Sequence, residues 1–515
     1  MLDFLARLSA VPPRCHSAAN VTDEEYDRQL RDLIVYLKEP GVIQSGADIN
    51  ENLDAIDPSI HSLSFLHLLR YQIRQVQKRT RRDIPDDLLP GGILWKHAVR
   101  FLRSFDPVQV RYAGHEWRQL IELMASAAQD SSKARRDQIP RTALAEELIL
   151  CVKQIIAFKV IRESLNRLNS SRVFTSVHLV LVKLALLTSS YTYALPIVDE
   201  LISHFPTDTE HVAREKFLCS EHESSAVLLT EASGFSTKLS YRDHLLFFLY
   251  SAMLYMALKR WDEASHCLCA VISSPTTNSV SKIMVEAYKK LLLVNLLGHG
   301  KLLPAPKLVA AQVTRLYQAL ARPYISIAEA FETGDLEKLR TEINLGQSTW
   351  RADKNTGLVL QLFEAYDRFV VMKLGKTFSA VTVQNVLRRA SFCTKGPLVI
   401  EEFVSTLVMS KGLRATLSQS STKSLTMLRF SPRKQSLLYQ EERIRKRLVR
   451  GRSALNAIAA GIAQTDQVLE LSQENLQFLA KNRRWNANAE KLGTVDTTDG
   501  GASGDVDEDL MGEGS

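Results

Sequence analysis

Five apolar residues at a strict seven-residue step, Leu448, Leu455, Ile462, Leu469 and Leu476, constrain this chain more than any other feature in it. Ile444, Ile458 and Leu479 fall on a second seam, with Gly451, Thr465 and Ser472 between them. A heptad of apolar positions keeps a stripe on one side of a slightly underwound helix, and such a stripe calls for a partner helix. The spacing predicts a single helix of about 50 residues over Gln435–Trp485. No second heptad segment exists in the chain to pair with it, so the stripe points to helices of other polypeptides. Beyond Trp485 the sequence turns polar, Gly-rich and acidic, a composition expected to stay disordered.

The rest of the chain reads as helix after helix. Only 22 glycines and 16 prolines occur, which suits a helix-rich protein, and 45% hydrophobic residues supply ample apolar surface. Residues 61–79 carry Leu63, Leu66, Leu69, Ile73 and Val76 at helical spacing. Asp83–Gly92 reads as a loop; helices resume at Ile93–Phe105 and Val110–Ala127, 129–140 reads as another loop, and a long helix is expected over Thr142–Leu168. From Phe174 a repeat emerges. Val177–Leu187 followed by Tyr193, Ala194 and Val198–Pro206 looks like an antiparallel helix pair closed by proline, and so does Leu245–Leu258 followed by Trp261, Ala264 and Leu268–Pro275. The two alanines are 70 residues apart, about two periods of the 34-residue tetratricopeptide pattern. Stacked units of this kind bury their apolar faces on each other and leave a curved surface suited to protein partners. The pattern continues through Lys282–Leu297, Leu308–Leu320 and Ile325–Glu332, then turns at Thr333-Gly334-Asp335 into Leu336–Leu345, with Asp335 as N-cap.

After a helix at Gly357–Lys373 the pattern changes. A short β-like run (Phe378–Val381), a helix capped by Thr382 (Val383–Arg389), and a helix opened by Gly396-Pro397 and ended by Gly412 lead into alternating residues. Leu413, Ala415 and Leu417, then Leu425, Met427, Leu428 and Phe430 across the polar turn Gln419–Lys423, signal a hairpin. Helices followed by a terminal hairpin make a winged helix. The helix that would enter a DNA groove, Leu398–Lys411, carries Glu401 and Glu402 and no basic residue before Lys411, so phosphates would repel it.

Residues that carry chemistry are not arranged for it. No phosphate-binding G-x-x-x-x-G-K-[ST], no G-x-S-x-G and no H-E-x-x-H occurs, and none of the twelve histidines forms an H-x-H pair. His178 lies within an apolar helix and reads as a core histidine; Trp117, Trp261 and Trp350 read as core or interface anchors. Cys267 and Cys269 beside His266 fall on different faces of a helix and do not suit one ion. The catalytic, cofactor and metal expectations are therefore none. The six cysteines are scattered, which suits a reducing compartment. No apolar run approaches the ~18 residues of a membrane span, and Met1–Ala10 lacks a signal-peptide core, so a soluble intracellular protein is expected. The net charge of +8 is unevenly placed. A basic stretch runs from Lys423 through Arg429, Arg433, Lys434, Arg443, Arg445, Lys446, Arg447 and Arg450 to Arg452, whereas Gly493–Ser515 carries only acidic charges. Opposite charges in one chain argue against a single nucleic-acid face.

Helical repeats leading into a winged helix resemble the PCI-domain family, and within it the COP-nine signalosome subunits. The strings that carry the resemblance are Val110–Ala113 (VRYA), Thr175–His178 (TSVH), Ala194–Pro196 (ALP), Leu254–Pro275, Ile283–Leu297 with VEAYKKLLLV, Thr356–Val359 and Gly375–Phe378. It covers roughly 105–420, and residues 1–100, 207–240 and the long acidic end depart from it. The expected fold is mainly α: a tetratricopeptide-like superhelix, a winged-helix (PCI) domain and a long C-terminal helix. Its divisions are 1–170, 171–350, 351–432, 433–485 and an acidic tail, 486–515. The resemblance implies a non-catalytic scaffold, in cytoplasm and nucleus, of the complex that removes a ubiquitin-like modifier from cullin-RING ligases. Its partners would be PCI and metalloprotease-fold subunits and possible cullin-RING ligases, reached through the hairpin residues Leu413, Ala415, Leu417, Leu425 and Met427 and the heptad residues Leu448, Leu455, Ile458, Ile462, Leu469, Leu476 and Leu479. The alternatives are the proteasome lid, a translation-initiation complex, or a nucleic-acid adaptor built on the basic stretch.

Overall fold

The computed structural model describes residues 6–13, 22–39, 49–133, 159–165, 167–168, 173–200, 202, 217–220, 228–229, 231–275, 280–389, 397–409, 412–419 and 426–430. Between 441 and 481 it describes 441, 444–445, 448–449, 451–453, 455–456, 458–460, 462–463, 466, 476–478 and 480–481. The chain divides into two compact units, Met1–Leu438 and Tyr439–Ser515.

In the first unit the helices are α1 (Asp23–Lys38), α2 (Ile49–Ala55), α3 (Ser62–Thr80), α4 (Ile93–Ser104), α5 (Pro107–Val110) and α6 (Gly114–Lys133). There follow α7 (Ser176–Leu187), α8 (Tyr191–Val198), α9 (Tyr241–Ala257), α10 (Trp261–Ile272) and α11 (Lys282–His299). Next come α12 (Ala311–Leu320), α13 (Arg322–Thr333), α14 (Leu336–Leu345), α15 (Gln347–Ala352) and α16 (Thr356–Thr377). The last elements are β1 (Ala380–Thr382), α17 (Val383–Arg389), α18 (Pro397–Met409), β2 (Ala415–Gln419) and β3 (Thr426–Phe430). The architecture is the mainly helical one the sequence predicts, with one small sheet.

Most expected boundaries hold within a few residues, and the exceptions have local causes. α6 runs on to Lys133 through residues expected to be a loop. Polar residues there form no apolar stripe, but none of them breaks a helix. Of the helix expected over 142–168, residues 159–165 are described and are helical. The helix expected to run on to Pro206 stops at Val198, with Pro196 inside its last turn, where it removes a backbone donor. Asp335 caps α14 as expected, accepting from the backbone N–H groups of Glu337 and Lys338, both at 3.1 Å.

Three turns repeat one geometry that the sequence does not advertise. α7 and α8, α9 and α10, and α15 and α16 are each joined by three residues whose middle member is left-handed: Ser189 (φ 54°), Lys259 (φ 56°) and Lys354 (φ 56°). In each, the N–H of the next residue reaches back to the preceding helix: Ser190 to Ala185 (3.0 Å), Arg260 to Tyr255 (2.9 Å), Asn355 to Trp350 (2.9 Å). This satisfies carbonyls at the helix end. A side chain is strained there and glycine is not. Replacing the exposed Lys259 by glycine is expected to raise the unfolding free energy by about 0.5–1 kcal/mol, read from chemical denaturation.

Three hydrophobic cores are chained together by shared helices. The first runs from Leu8 to Leu254, the second from Leu245 to Tyr366, and the third from Val371 to Leu428. α9 feeds Phe247 and Leu254 into the first and Leu245, Leu249, Ala252 and Tyr255 into the second, which is why it is apolar nearly all round. α16 likewise gives Val359, Leu362, Ala365 and Tyr366 to the second and Val371 and Leu374 to the third. Ala194 and Ala264, the small residues of the two repeat pairs, are fully buried.

Candidate interaction surfaces

The winged helix is built on a three-stranded antiparallel sheet of order β1-β3-β2. β3 is central: Val381 stands opposite Leu428 on one side and Leu417 opposite Leu428 on the other. β2 and β3 pair as the hairpin read from the sequence. Leu413 and Ala415 are buried and pack into the third core with Val386, Val404 and Leu428, so their side chains hold the domain together. Leu417 packs partly buried against the same core, and Met427 is half-buried on the central strand; Leu425 lies outside the described residues. Sequence alternation marked a strand with one covered face and did not say what covers it. What the hairpin presents at the side of the sheet is the backbone of β2, whose open groups can take up another strand.

Gly375 and α18 set the sheet against its helices. A Cβ on Gly375 would lie 2.7 Å from the Phe430 ring, so only glycine lets that ring sit on α16. The Glu401 carboxylate on α18 accepts from the Thr426 hydroxyl on β3, so this acid helps fasten helix to sheet. With Glu402 exposed beside it, α18 has an acidic surface, as expected from its sequence.

In the second unit the heptad residues stand in solvent. Leu448 is 67% exposed, Leu455 68%, Ile462 56% and Leu476 53%; Ile444 and Ile458 are exposed as well. Leu469 and Leu479, and the acidic tail, lie outside the described residues. The described residues at 441–481 are helical. The described seam leucines and isoleucines, all exposed, present a surface to be covered.

Elsewhere the reactive side chains are put to structural use. Burial pushes the Cys267 thiol up to about 12, far from a thiolate, while Cys269 is half-buried and His266 exposed on other sides of α10. Among the described residues no group of three or more His, Cys, Asp or Glu could hold a metal ion, and no helix is long and apolar enough to cross a membrane. Trp117 and Trp350 are buried, and Trp261 is half-buried against the Gly298 backbone. His178 is the core histidine expected. Its Nδ1 accepts the Thr175 N–H at 3.2 Å, the place a glutamate or glutamine takes in a capping box.

Burial holds the His178 imidazole down to about 4 from an ordinary 6.5. The unfolded chain therefore takes a proton near 6.5 that the folded chain refuses until about 4. Its share of stability is whole above the higher value and is lost as the pH falls, by about 1.4 kcal/mol per pH unit across that window. His178→Gln keeps the acceptor and is expected to flatten this slope in denaturation curves taken from pH 7 to 4.5.

With the fold and these surfaces in place, two similarities carry the assignment. Residues 27–313 match the family model "COP9 signalosome complex subunit 3, N-terminal helical repeats". The COP9 signalosome complex subunit 3 of Emericella nidulans (strain FGSC A4 / ATCC 38163 / CBS 112.46 / NRRL 194 / M139) is 57% identical over 515 residues, the whole of both chains. The chain belongs to the COP9 signalosome subunit 3 family. The Dictyostelium discoideum protein of the same name is 22% identical over 395 residues, 76% of this chain and 79% of that one. The family match begins at residue 27 and runs through 207–240, so residues 27–100 and 207–240, which seemed to depart from the pattern, fall within it. The winged helix and the second unit lie beyond that match and within the full-length one.

Proposed function

We propose that the chain is a non-catalytic scaffold subunit of the COP9 signalosome, the complex that removes a ubiquitin-like modifier from cullin-RING ubiquitin ligases. The observation that carries the reading is the heptad stripe, four of whose seam residues are more than half exposed in the second unit. Within a complex those side chains would be covered by C-terminal helices of other subunits, and β2 would extend a neighbouring winged-helix sheet. The partners on this reading are PCI and metalloprotease-fold signalosome subunits and, through the assembled complex, cullin-RING ligases; the setting is cytoplasm and nucleus. On this reading the reaction belongs to a different subunit; among the described residues no group of three or more His, Cys, Asp or Glu could hold a metal ion.

Purifying the tagged chain from its own cells at near-physiological salt, followed by mass spectrometry, tests the proposal. Stoichiometric recovery of the other signalosome subunits supports it. Recovery of proteasome-lid or translation-initiation subunits instead, or of a lone chain that turns over a substrate, overturns it. Salt-sensitive RNA or DNA binding by the full chain, without protein partners, would favour the nucleic-acid adaptor.

A further inference from the structure

α11 contains the string VEAYKKLLLV, and within this apolar helix two lysines turn toward the protein interior. The Lys290 side chain is only 6% exposed. Its ammonium donates to Glu286 at 2.9 Å and to the Asn355 amide oxygen at 2.8 Å. The Asn355 amide nitrogen donates to the Tyr324 hydroxyl at 2.9 Å. That hydroxyl donates to the Asp353 carboxylate at 2.8 Å, which also accepts from Lys289 at 2.8 Å. A lysine can only donate and a carboxylate only accept, so the directions of the amide and hydroxyl between them are fixed. The circuit has one satisfied arrangement, and it ties α11 to α13 and to the turn before α16.

The position of Asn355 adds to this. It is the N-cap residue of α16, where an asparagine side chain ordinarily accepts from its own helix, yet it makes no such bond. Its capacity goes across to Lys290 and Tyr324 instead. α16 is also the helix shared by the last repeat core and the winged-helix core. Whatever sets the direction of its first turn therefore sets where the sheet stands relative to the repeats. A buried ammonium adds little stability over packed apolar side chains, and its attested use is to select one geometry.

We propose that the Lys290–Asn355–Tyr324–Asp353 circuit fixes the direction in which α16 leaves the repeats, and so places the edge of the winged-helix sheet for partner subunits. The residues act through α16, as positioning residues; the clause about partners rests on the scaffold reading above.

The test is the full chain with Lys290→Met and Asn355→Leu together, which replaces one donor–acceptor pair by apolar groups of similar size and leaves Tyr324, Asp353 and Lys289 linked. Spin labels carried by a genetically encoded keto amino acid at Leu308 and Met409, each 84% exposed, report the distance from repeats to winged helix. The double variant is expected to keep the helical content and melting temperature of the parent and to lose its single sharp distance. Recovery of partner subunits at equal expression is expected to fall about tenfold, equivalent to 1.4 kcal/mol. A merely structural role would lower the melting temperature and leave the distance sharp in the folded chain. An unchanged distance distribution overturns the proposal, whatever is recovered. A parent chain that recovers no signalosome subunits defeats the scaffold reading, while the distance still decides the circuit. If the double variant does not fold, Asn355→Asp keeps the acceptor for Lys290, gives up the donor to Tyr324, and is judged by the same distance.

Discussion

Leu455→Asp combined with Ile462→Asp is expected to strip the chain of its partners while leaving it folded. The two positions are one heptad apart on the same stripe, 68% and 56% exposed, so the substitutions remove nothing from a core of this chain. Aspartate in a helix interior costs only about half a kcal/mol each, which the long helix tolerates. In a bundle the balance is different. Each lost Leu or Ile gives up about 1.5–3 kcal/mol of burial, and each carboxylate must shed its water without a counter-charge. A combined loss above about 4 kcal/mol corresponds to roughly a thousandfold in affinity. Co-purification and thermal melting of parent and variant, run side by side, give the answer. Partner recovery equal to the parent's would show that this stripe is not covered in the complex; a large drop in melting temperature would mean it is covered by the chain itself.

How far the sequence carried depends on what each feature leaves in it. Periodicity placed the helices because a buried stripe must recur every three or four residues, and Asp335 and Ala264 announced a cap and a close helix contact by residue type alone. The three left-handed turns were silent because Ser189, Lys259 and Lys354 stand where glycine would have been the signal. The hairpin was legible as strands, but the burial of Leu413 and Ala415 against their own helices was not, since alternation marks a covered face and not its cover. Nor could the order β1-β3-β2 be read, because it depends on three residues, Ala380–Thr382, finding a strand about fifty positions later. Nothing in the sequence singles out the side chains of Lys289, Lys290 or Asn355; only tertiary packing brings them into one circuit. The heptad stripe was the most legible candidate of all, because a seven-residue apolar repeat is written in the residues themselves.

Trp350→Ala is expected to cost about 3–5 kcal/mol of unfolding free energy, the usual range for emptying a large core site. The indole is 1% exposed, meets the Tyr324 ring edge-on at 4.7 Å between centroids, and donates its N–H to the Ile343 carbonyl at 3.0 Å. Its ring also lies directly over Gly346, where a Cβ would come within 2.1 Å of Cζ2. The walls of the resulting hole are two helix ends held by their own hydrogen bonds, so they cannot close it by collapse. Trp350→Phe keeps most of the contact, loses the hydrogen bond, and is expected to cost about 1–2 kcal/mol. Because Tyr324 loses its edge-on ring partner, the alanine variant should also blur the distance between Leu308 and Met409, whereas the phenylalanine variant should not. Denaturation midpoints for the two variants decide the energetic claim. A cost below about 1 kcal/mol for Trp350→Ala would mean that the ring is not the wedge between α14 and α13 that its contacts describe.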